Sequence, residues 1–419
     1  MLASLTSFIS KCFEVPPWIL KSRIFVLLLG LFFLCVNFPL LLKTTHDPHA
    51  RQWMMERDAA QYIRIADDFS KGDFQCRYVI QCPHRQMLYP LLLAPAAGLS
   101  GNDPFWMGSV NVWVGMVCAL ILYFGILRLY RNLAIAAVIG ALFAGNLFIV
   151  QQVTSDLLTE PLHLLIVILA AFFFLDYVQQ GKRTSLYIAS GFVGLDYLTR
   201  TNGLFLMIAM MAMVMIHELG LAFHGADLTK WQRFCRLGSI VRTVSIAVLV
   251  FVLVTFPSWL PRIIYLHNPV DHGYLSNYMW VDSYNVGHTG KPYVSYTWHD
   301  YAATHGVMDV LSRWRRGFLR IIFDIPLGIE RVPILYGFAV VGIGVAVAKR
   351  DKAHMLLAGM MAIQMLPLIW TNMSNPNQRV PYGALIPFEF FFAAFALDQL
   401  RLRLRAITQR QLPASSEQP

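Results

Sequence analysis

Five stretches of this sequence place charged side chains beside long apolar runs, where a charge is costly unless it is paired or used. The first is Glu56-Arg57-Asp58-Ala59-Ala60-Gln61-Tyr62-Ile63-Arg64-Ile65-Ala66, in which Ala59, Tyr62, Ile63 and Ala66 recur at helical spacing. Asp58 therefore opens a short amphipathic helix lying on a membrane. A carboxylate there can cap the helix or take the proton of an attacking hydroxyl, and both readings stand on the residues alone. The second stretch runs from Thr154 through Ser155, Asp156 and Glu160 to Pro161. Proline suits a first helical turn and the helix dipole favours acidic residues near it. That explains the residue types, but not why two carboxylates are kept at a membrane edge. In the third, Leu198-Thr199-Arg200-Thr201-Asn202-Gly203, a guanidinium sits at a tight turn between two apolar runs. It calls for a phosphate or a carboxylate partner, and Asp156 or Glu160 would serve as a purely structural one. The fourth holds Arg379, ahead of the last apolar run. In the fifth, Arg313-Trp314-Arg315-Arg316-Gly317-Phe318-Leu319-Arg320, helical spacing predicts that Arg313, Arg316 and Arg320 share a face. Such a basic face binds anionic headgroups or a lipid-linked phosphate.

Two further sets of residues could do chemistry. Cys76 and Cys82 share one polar loop and could close a small ring in an oxidising compartment, or remain two thiols. His267, His272, His288, His299 and His305 lack metal-ligand spacing on any predicted helix. These residues call for no cofactor, and a divalent metal is compatible with them but not indicated.

The elements that must position these residues are membrane helices. The chain is 57% hydrophobic and only 14% charged over 419 residues, whereas soluble domains carry about a quarter charged residues. The expectation is an all-α polytopic membrane protein, one domain over 1–419, with about ten transmembrane helices. The spans are predicted at 24–42, 106–127, 133–150, 161–178, 186–199, 203–221, 243–260, 332–348, 353–370 and 381–398. The segment 186–199 is short and holds Asp196, yet removing it breaks the charge pattern. With the N-terminus cytoplasmic, the inner segments collect Arg128, Arg131, Lys182, Arg183, Lys230, Arg233, Lys349, Arg350 and Arg401, while the short outer loops are nearly free of Lys and Arg. Both termini are then cytoplasmic, and no cleavable leader is evident. The net charge of +10 is absorbed by this pattern, so no nucleic-acid partner is expected. Two long outer loops, about 43–105 and 261–331, carry the amphipathic helices. Met87 to Leu99 is apolar but too short to cross, and should lie at the interface or dip in re-entrantly.

Taken in order, these stretches resemble the GT-C polyprenyl-phosphate-sugar glycosyltransferases, most nearly the protein O-mannosyltransferases and the lipid A aminoarabinose transferases. The pattern Asp58-Ala59-Ala60-Gln61-Tyr62, then Ala66, Arg85 and Tyr89-Pro90-Leu91-Leu92, is similar to that family's first outer loop, with Ala59 where many relatives have Glu. Asp156 to Pro161 resembles the second outer loop. Leu195 to Gly203 resembles the Leu-Thr-Arg turn, and Arg379 to Pro387 the start of a late helix, with Val380 where Tyr is usual. The resemblance implies an inverting transfer of a sugar from a polyprenyl-phosphate donor to an acceptor hydroxyl on a glycan, lipid or protein. It implies a site at the outer face of a multi-pass membrane protein, most simply in a bacterial inner membrane. Asp58 would be the general base. Arg200, Arg379, Arg316 and Arg320 would hold the donor phosphate, and Asp156, Glu160, Tyr62 and Arg85 would orient substrates. Membrane lipid is the remaining partner, with the donor's tail in a groove between spans. The rival reading is a transporter or lipid flippase, which would place charges at the membrane midplane rather than at one face. A scaffold that only binds anionic lipid would explain the basic face but not the carboxylates.

Overall fold

The computed structural model describes residues 23–56, 58–74, 85–155, 157–223, 230–268, 280–281, 297–324, 334–371 and 379–411. Cys76, Cys82 and Asp156 lie outside them, as does the side chain of Arg379. All regular structure among the described residues is helical. The elements are α1 (Arg23–His46), α2 (Pro48–Met55), α3 (Asp58–Ser70), α4 (Leu88–Ser100), α5 (Pro104–Tyr130), α6 (Leu133–Ala144), α7 (Leu147–Thr154), α8 (Glu160–Gln180), α9 (Arg183–Thr199) and α10 (Asn202–Phe223). They continue with α11 (Lys230–Leu266), α12 (Trp298–Thr304), α13 (Val307–Leu319), a wide π-helical turn at Arg320–Asp324, α14 (Ile334–Lys349), α15 (Lys352–Thr371) and α16 (Arg379–Gln411).

Every predicted span falls on a helix, but not all are alike. Seven helices, α1, α5, α8, α10, α11, α15 and α16, are long and apolar enough to cross a membrane. The pair α6 and α7 makes an eighth if its two halves, bent by 51°, form one span. The bend follows from Asn146, whose side chain accepts from Phe148 N at 3.0 Å and Ile149 N at 3.2 Å and so starts a new helix. The remaining two, α9 with 17 residues and α14 with 16, are shorter than a full hydrocarbon crossing. The apolar stretch Met87–Leu99, too short to cross, forms the short helix α4. It stops at Gly101, whose φ of 63° is the left-handed conformation that ends a helix.

The core is organised around α16. In its most apolar window 89% of residues are buried, against 22% in α1 and in α11, which are edge helices with faces turned to lipid. Burial of apolar area drives little association in lipid, so close backbone approach and packing must hold the bundle. Glycine supplies that approach where α14 crosses α16. A Cβ on Gly342 would lie 2.0 Å from the carbonyl oxygen of Phe392. Gly317 on α13 is equally confined, with the Ile369 carbonyl oxygen of α15 at 2.1 Å from its would-be Cβ.

The crossing predicts a clean contrast. Gly342→Ala should lower stability by about 1–3 kcal/mol through overpacking, visible as a lower thermal unfolding midpoint of the detergent-solubilised protein. Gly337→Ala on the same helix, where nothing lies within 4 Å, should leave the midpoint unchanged or slightly raised. Equal midpoints for the two variants would mean that the crossing is not a tight contact.

Candidate functional site

The first constellation is built on α3 and α4. The apolar side of α3, Ala59, Tyr62, Ile63, Ile65, Ala66 and Phe69, is buried as its spacing predicts. Tyr62 meets Tyr89 of α4 edge to face at 5.2 Å, and the Tyr89 hydroxyl donates to Asn111 of α5 at 3.0 Å. The amphipathic helix is thereby fixed to the bundle. Asp58 stands in its first turn, and Arg85 comes from the stretch just before α4.

Arg85 is the centre of this group. Its Nη2 donates to Asp58 Oδ1 at 2.5 Å, its Nε to Gln61 Oε1 at 2.6 Å and its Nη1 to the Tyr62 hydroxyl at 3.4 Å. The guanidinium also lies 4.9 Å from the Tyr62 ring centre. Burial opposes the charge, but Tyr62 and Asp58 outweigh that and hold Arg85 above the ordinary arginine range. The two partners differ in access. The Arg85 side chain is 11% exposed and the Asp58 side chain 45%, so an enclosed cation orients a carboxylate that meets solvent.

What holds Arg85 is a residue that sequence reasoning does not single out. Arg262, near the end of α11, is completely enclosed and donates from Nη2 to the Arg85 carbonyl oxygen at 3.1 Å. Its Nη1 donates to the Ser258 carbonyl oxygen at 3.0 Å and to the Ser258 hydroxyl, and that hydroxyl donates to Gln86 Oε1 at 3.1 Å. The sequence does carry a signal. Arg262 is a basic residue at the end of an apolar run, but the long loop expected to follow that run keeps the charge rule from marking it.

The second constellation joins α8 and α9. Arg200 Nη1 lies 2.8 Å from Glu160 Oε1, with the Glu160 side chain 1% exposed. Of the two carboxylates considered as its structural partner, Glu160 is the one described. About one turn deeper, His163 Nδ1 and Asp196 Oδ1 meet at 2.6 Å, both enclosed. This accounts for Asp196, the charge that makes its span look weak. The turn between α9 and α10 is tight. A Cβ on Gly203 would lie 2.2 Å from Tyr197 N, so only glycine fits. Tyr197 packs on Trp259 of α11 at 6.0 Å. The last turns of α11 thus touch both constellations, through Trp259 on one side and Arg262 on the other.

The third element is α13, and here the expected shared face is corrected in part. Arg313 points inward. It is buried, donates from Nε to the Trp370 carbonyl oxygen at 3.1 Å, and lies 4.4 Å from the Trp370 ring centre and 5.1 Å from that of Tyr301. Arg316 is exposed, with Nε donating to the Ser312 carbonyl oxygen at 3.4 Å, and Arg320 opens the π-helical turn. The structure therefore gathers Asp58, Tyr62 and Arg85 in one group and Glu160 with Arg200 in another. Arg316 and Arg320 stand on a separate element. Arg379 begins α16. A cleft of about 570 Å³ opens between α1, α2 and α7, walled by Leu40, Lys43, Asp47, Val150, Gln151 and Ser155. Among the described residues no three His, Cys, Asp or Glu side chains cluster as metal ligands.

No family model and no curated protein matches the chain. Among solved structures, the fold is similar to the archaeal oligosaccharyltransferase AglB from Archaeoglobus fulgidus in complex with an inhibitory peptide and a dolichol-phosphate. The TM-score is 0.53 at 12% identity, covering 96% of this chain and 53% of that one. It is also similar to the Archaeoglobus fulgidus oligosaccharyltransferase tethered to an acceptor peptide containing the NVT sequon, with a TM-score of 0.50 at 12% identity, covering 94% and 51%. The chain thus spans about half the length of these structures. At that identity the likeness shows the fold alone, a helical architecture shared with these oligosaccharyltransferase structures.

The α11 brace predicts a local effect. Arg262→Met keeps side-chain bulk but removes the donors to Arg85 and Ser258. Hydrogen exchange should quicken over residues 85–93, with a loss of about 1–3 kcal/mol from buried acceptors left unpaired, while exchange over 382–396 stays the same. Unchanged exchange over 85–93 would mean that another contact holds this segment.

Proposed function

We propose that this chain is a membrane glycosyltransferase that moves a sugar from a polyprenyl-phosphate donor to an acceptor hydroxyl, with inversion at the anomeric carbon. One observation carries the reading. A half-exposed carboxylate, Asp58, is held at 2.5 Å by an enclosed arginine in a helical bundle similar in fold to the AglB oligosaccharyltransferase. The AglB structure, similar in fold, is in complex with an inhibitory peptide and a dolichol-phosphate.

In this reading Asp58 accepts the proton of the acceptor hydroxyl as its oxygen bonds to the anomeric carbon. The bond from that carbon to the phosphate oxygen breaks on the opposite face, and the polyprenyl phosphate leaves with the electron pair. The donor carries its own leaving group, so no general acid is needed, and the remaining task is to hold the phosphate's charge. Arg200 would do so, oriented by Glu160, with Arg379, Arg316 and Arg320 as further cations for the phosphate or its neighbouring headgroups. Tyr62 and Arg85 would orient Asp58 and the acceptor, and Asp156 would bind sugar hydroxyls. The closeness to protein O-mannosyl and lipid A aminoarabinose transfer, the outer-face location, cytoplasmic termini and a bacterial inner membrane belong to the same proposal. The broken span α6–α7 is the feature that a transporter or flippase would share.

Purified protein supplied with a radiolabelled panel of polyprenyl-phosphate sugars tests this directly. Wild type should consume one donor, Asp58→Asn should slow transfer by about 10²–10⁴-fold, and Arg200→Ala should chiefly raise the donor KM. Near-normal transfer by Asp58→Asn removes that residue as the base. If folded wild type consumes no donor but moves a labelled lipid across proteoliposomes, the transport reading replaces this one.

A further inference from the structure

At the end of the bundle opposite Asp58 lies a groove that the proposed reaction does not use. It runs between the start of α6 and the last turns of α16 and encloses about 660 Å³. Its lining combines two kinds of chemistry. Val138, Leu397 and Leu404 form an apolar wall, while Arg401, Arg405 and Thr408 line the same groove one helical step away. On α16 these positions follow i, i+4 and i+7 spacing, so one face of the helix presents apolar and cationic groups together. Leu404 is 55% exposed and Val138 is 47% exposed, open surfaces that nothing in the bundle covers.

The charges there are unbalanced. Arg401 Nη2 is paired with Asp398 at 2.6 Å, yet its Nε–H is enclosed with no acceptor among the described residues. Arg405 is exposed, and Arg403 and Arg131 lie close in sequence to the groove. The N-terminal end of α6, the positive end of its dipole, opens beside them, with Asn132 capping Ile135 N at 3.1 Å. Apolar wall, cationic rim and position at a helix-bundle end fit a ligand with a hydrocarbon tail and an anionic head.

We propose that this groove is a seat for an anionic phospholipid of the surrounding bilayer. Its phosphate lies against Arg401 and Arg405, and an acyl chain runs along Val138, Leu397 and Leu404. Occupancy would tie the end of α16 to α6 and so steady the central helix from the face away from the proposed chemistry. The inference stands apart from the glycosyltransferase reading, because lipid binding is read without any transfer assay.

The test uses the full chain in a non-ionic detergent, with bound lipid counted by native mass spectrometry during titration with phosphatidylglycerol or phosphatidylcholine. Wild type should retain phosphatidylglycerol in preference to phosphatidylcholine. Losing a cation near a headgroup weakens binding by about fivefold, so Arg401→Gln with Arg405→Gln should weaken it by about 25-fold. Val138→Trp should abolish retention by filling the groove while leaving both arginines in place. Equal retention of the two lipids, or phosphatidylglycerol binding unchanged by Val138→Trp, would overturn the proposal.

Discussion

The enclosed guanidinium of Arg262 is the interaction from which the geometry of the upper bundle derives. A cation shut away at a helix end is tolerated only when acceptors surround it, and its acceptors here are the Arg85 carbonyl and Ser258. Satisfying Arg262 therefore fixes where the backbone at residue 85 must run. That in turn fixes the Arg85 side chain, which sets the Asp58 carboxylate. On the same helix, Trp259 meets Tyr197, whose backbone presses on the glycine of the turn after Arg200. The last turns of α11 thus meet the first constellation through Arg262 and, through Trp259, the helix that carries Asp196 and Arg200.

The bundle can bear such a charge because it is held by contact rather than by water exclusion. Lipid is as apolar as leucine, so helices gain little by merely hiding side chains from it. What distinguishes the native arrangement is the close approach seen at Gly342 and Gly317, together with polar pairs that have nowhere else to go. His163 with Asp196, both enclosed, is such a pair. Removing one member of an enclosed pair strands the other, so each pair fixes the register of the two helices that carry it.

The sequence makes some of this plain and hides the rest, for physical reasons. The period of Ala59, Tyr62, Ile63 and Ala66 exposes α3 and its buried side, because that pattern depends only on local helix geometry. The Glu160–Arg200 pair is legible as an alternative, since both residues sit at predicted ends of neighbouring spans. Arg313 departs from expectation because helical periodicity assigns it to the face of Arg316. Its true partner, Trp370, lies 57 positions away on another helix, and stacking of that range leaves no trace in local spacing. Arg262 escapes notice because it begins a long loop, where the charge rule gives no information. Likewise α9 is doubtful on hydropathy alone, and only the His163 partner explains how Asp196 is tolerated there.

The two constellations also differ in what they can do, and the difference lies in access. Glu160 is 1% exposed and locked against Arg200, so changing its charge would leave a cation stranded in a dry site. A carboxylate so placed is suited to orienting its partner and poorly suited to exchanging a proton at every turnover. Asp58 is open on one side and steadied on the other by Arg85. It can receive a proton from outside without leaving its position, because the cation that orients it is fixed by hydrogen bonds to Gln61 and Tyr62 as well. Of the carboxylates described at this end of the bundle with an arginine partner, the exposed one is therefore the candidate for chemistry and the enclosed one for positioning.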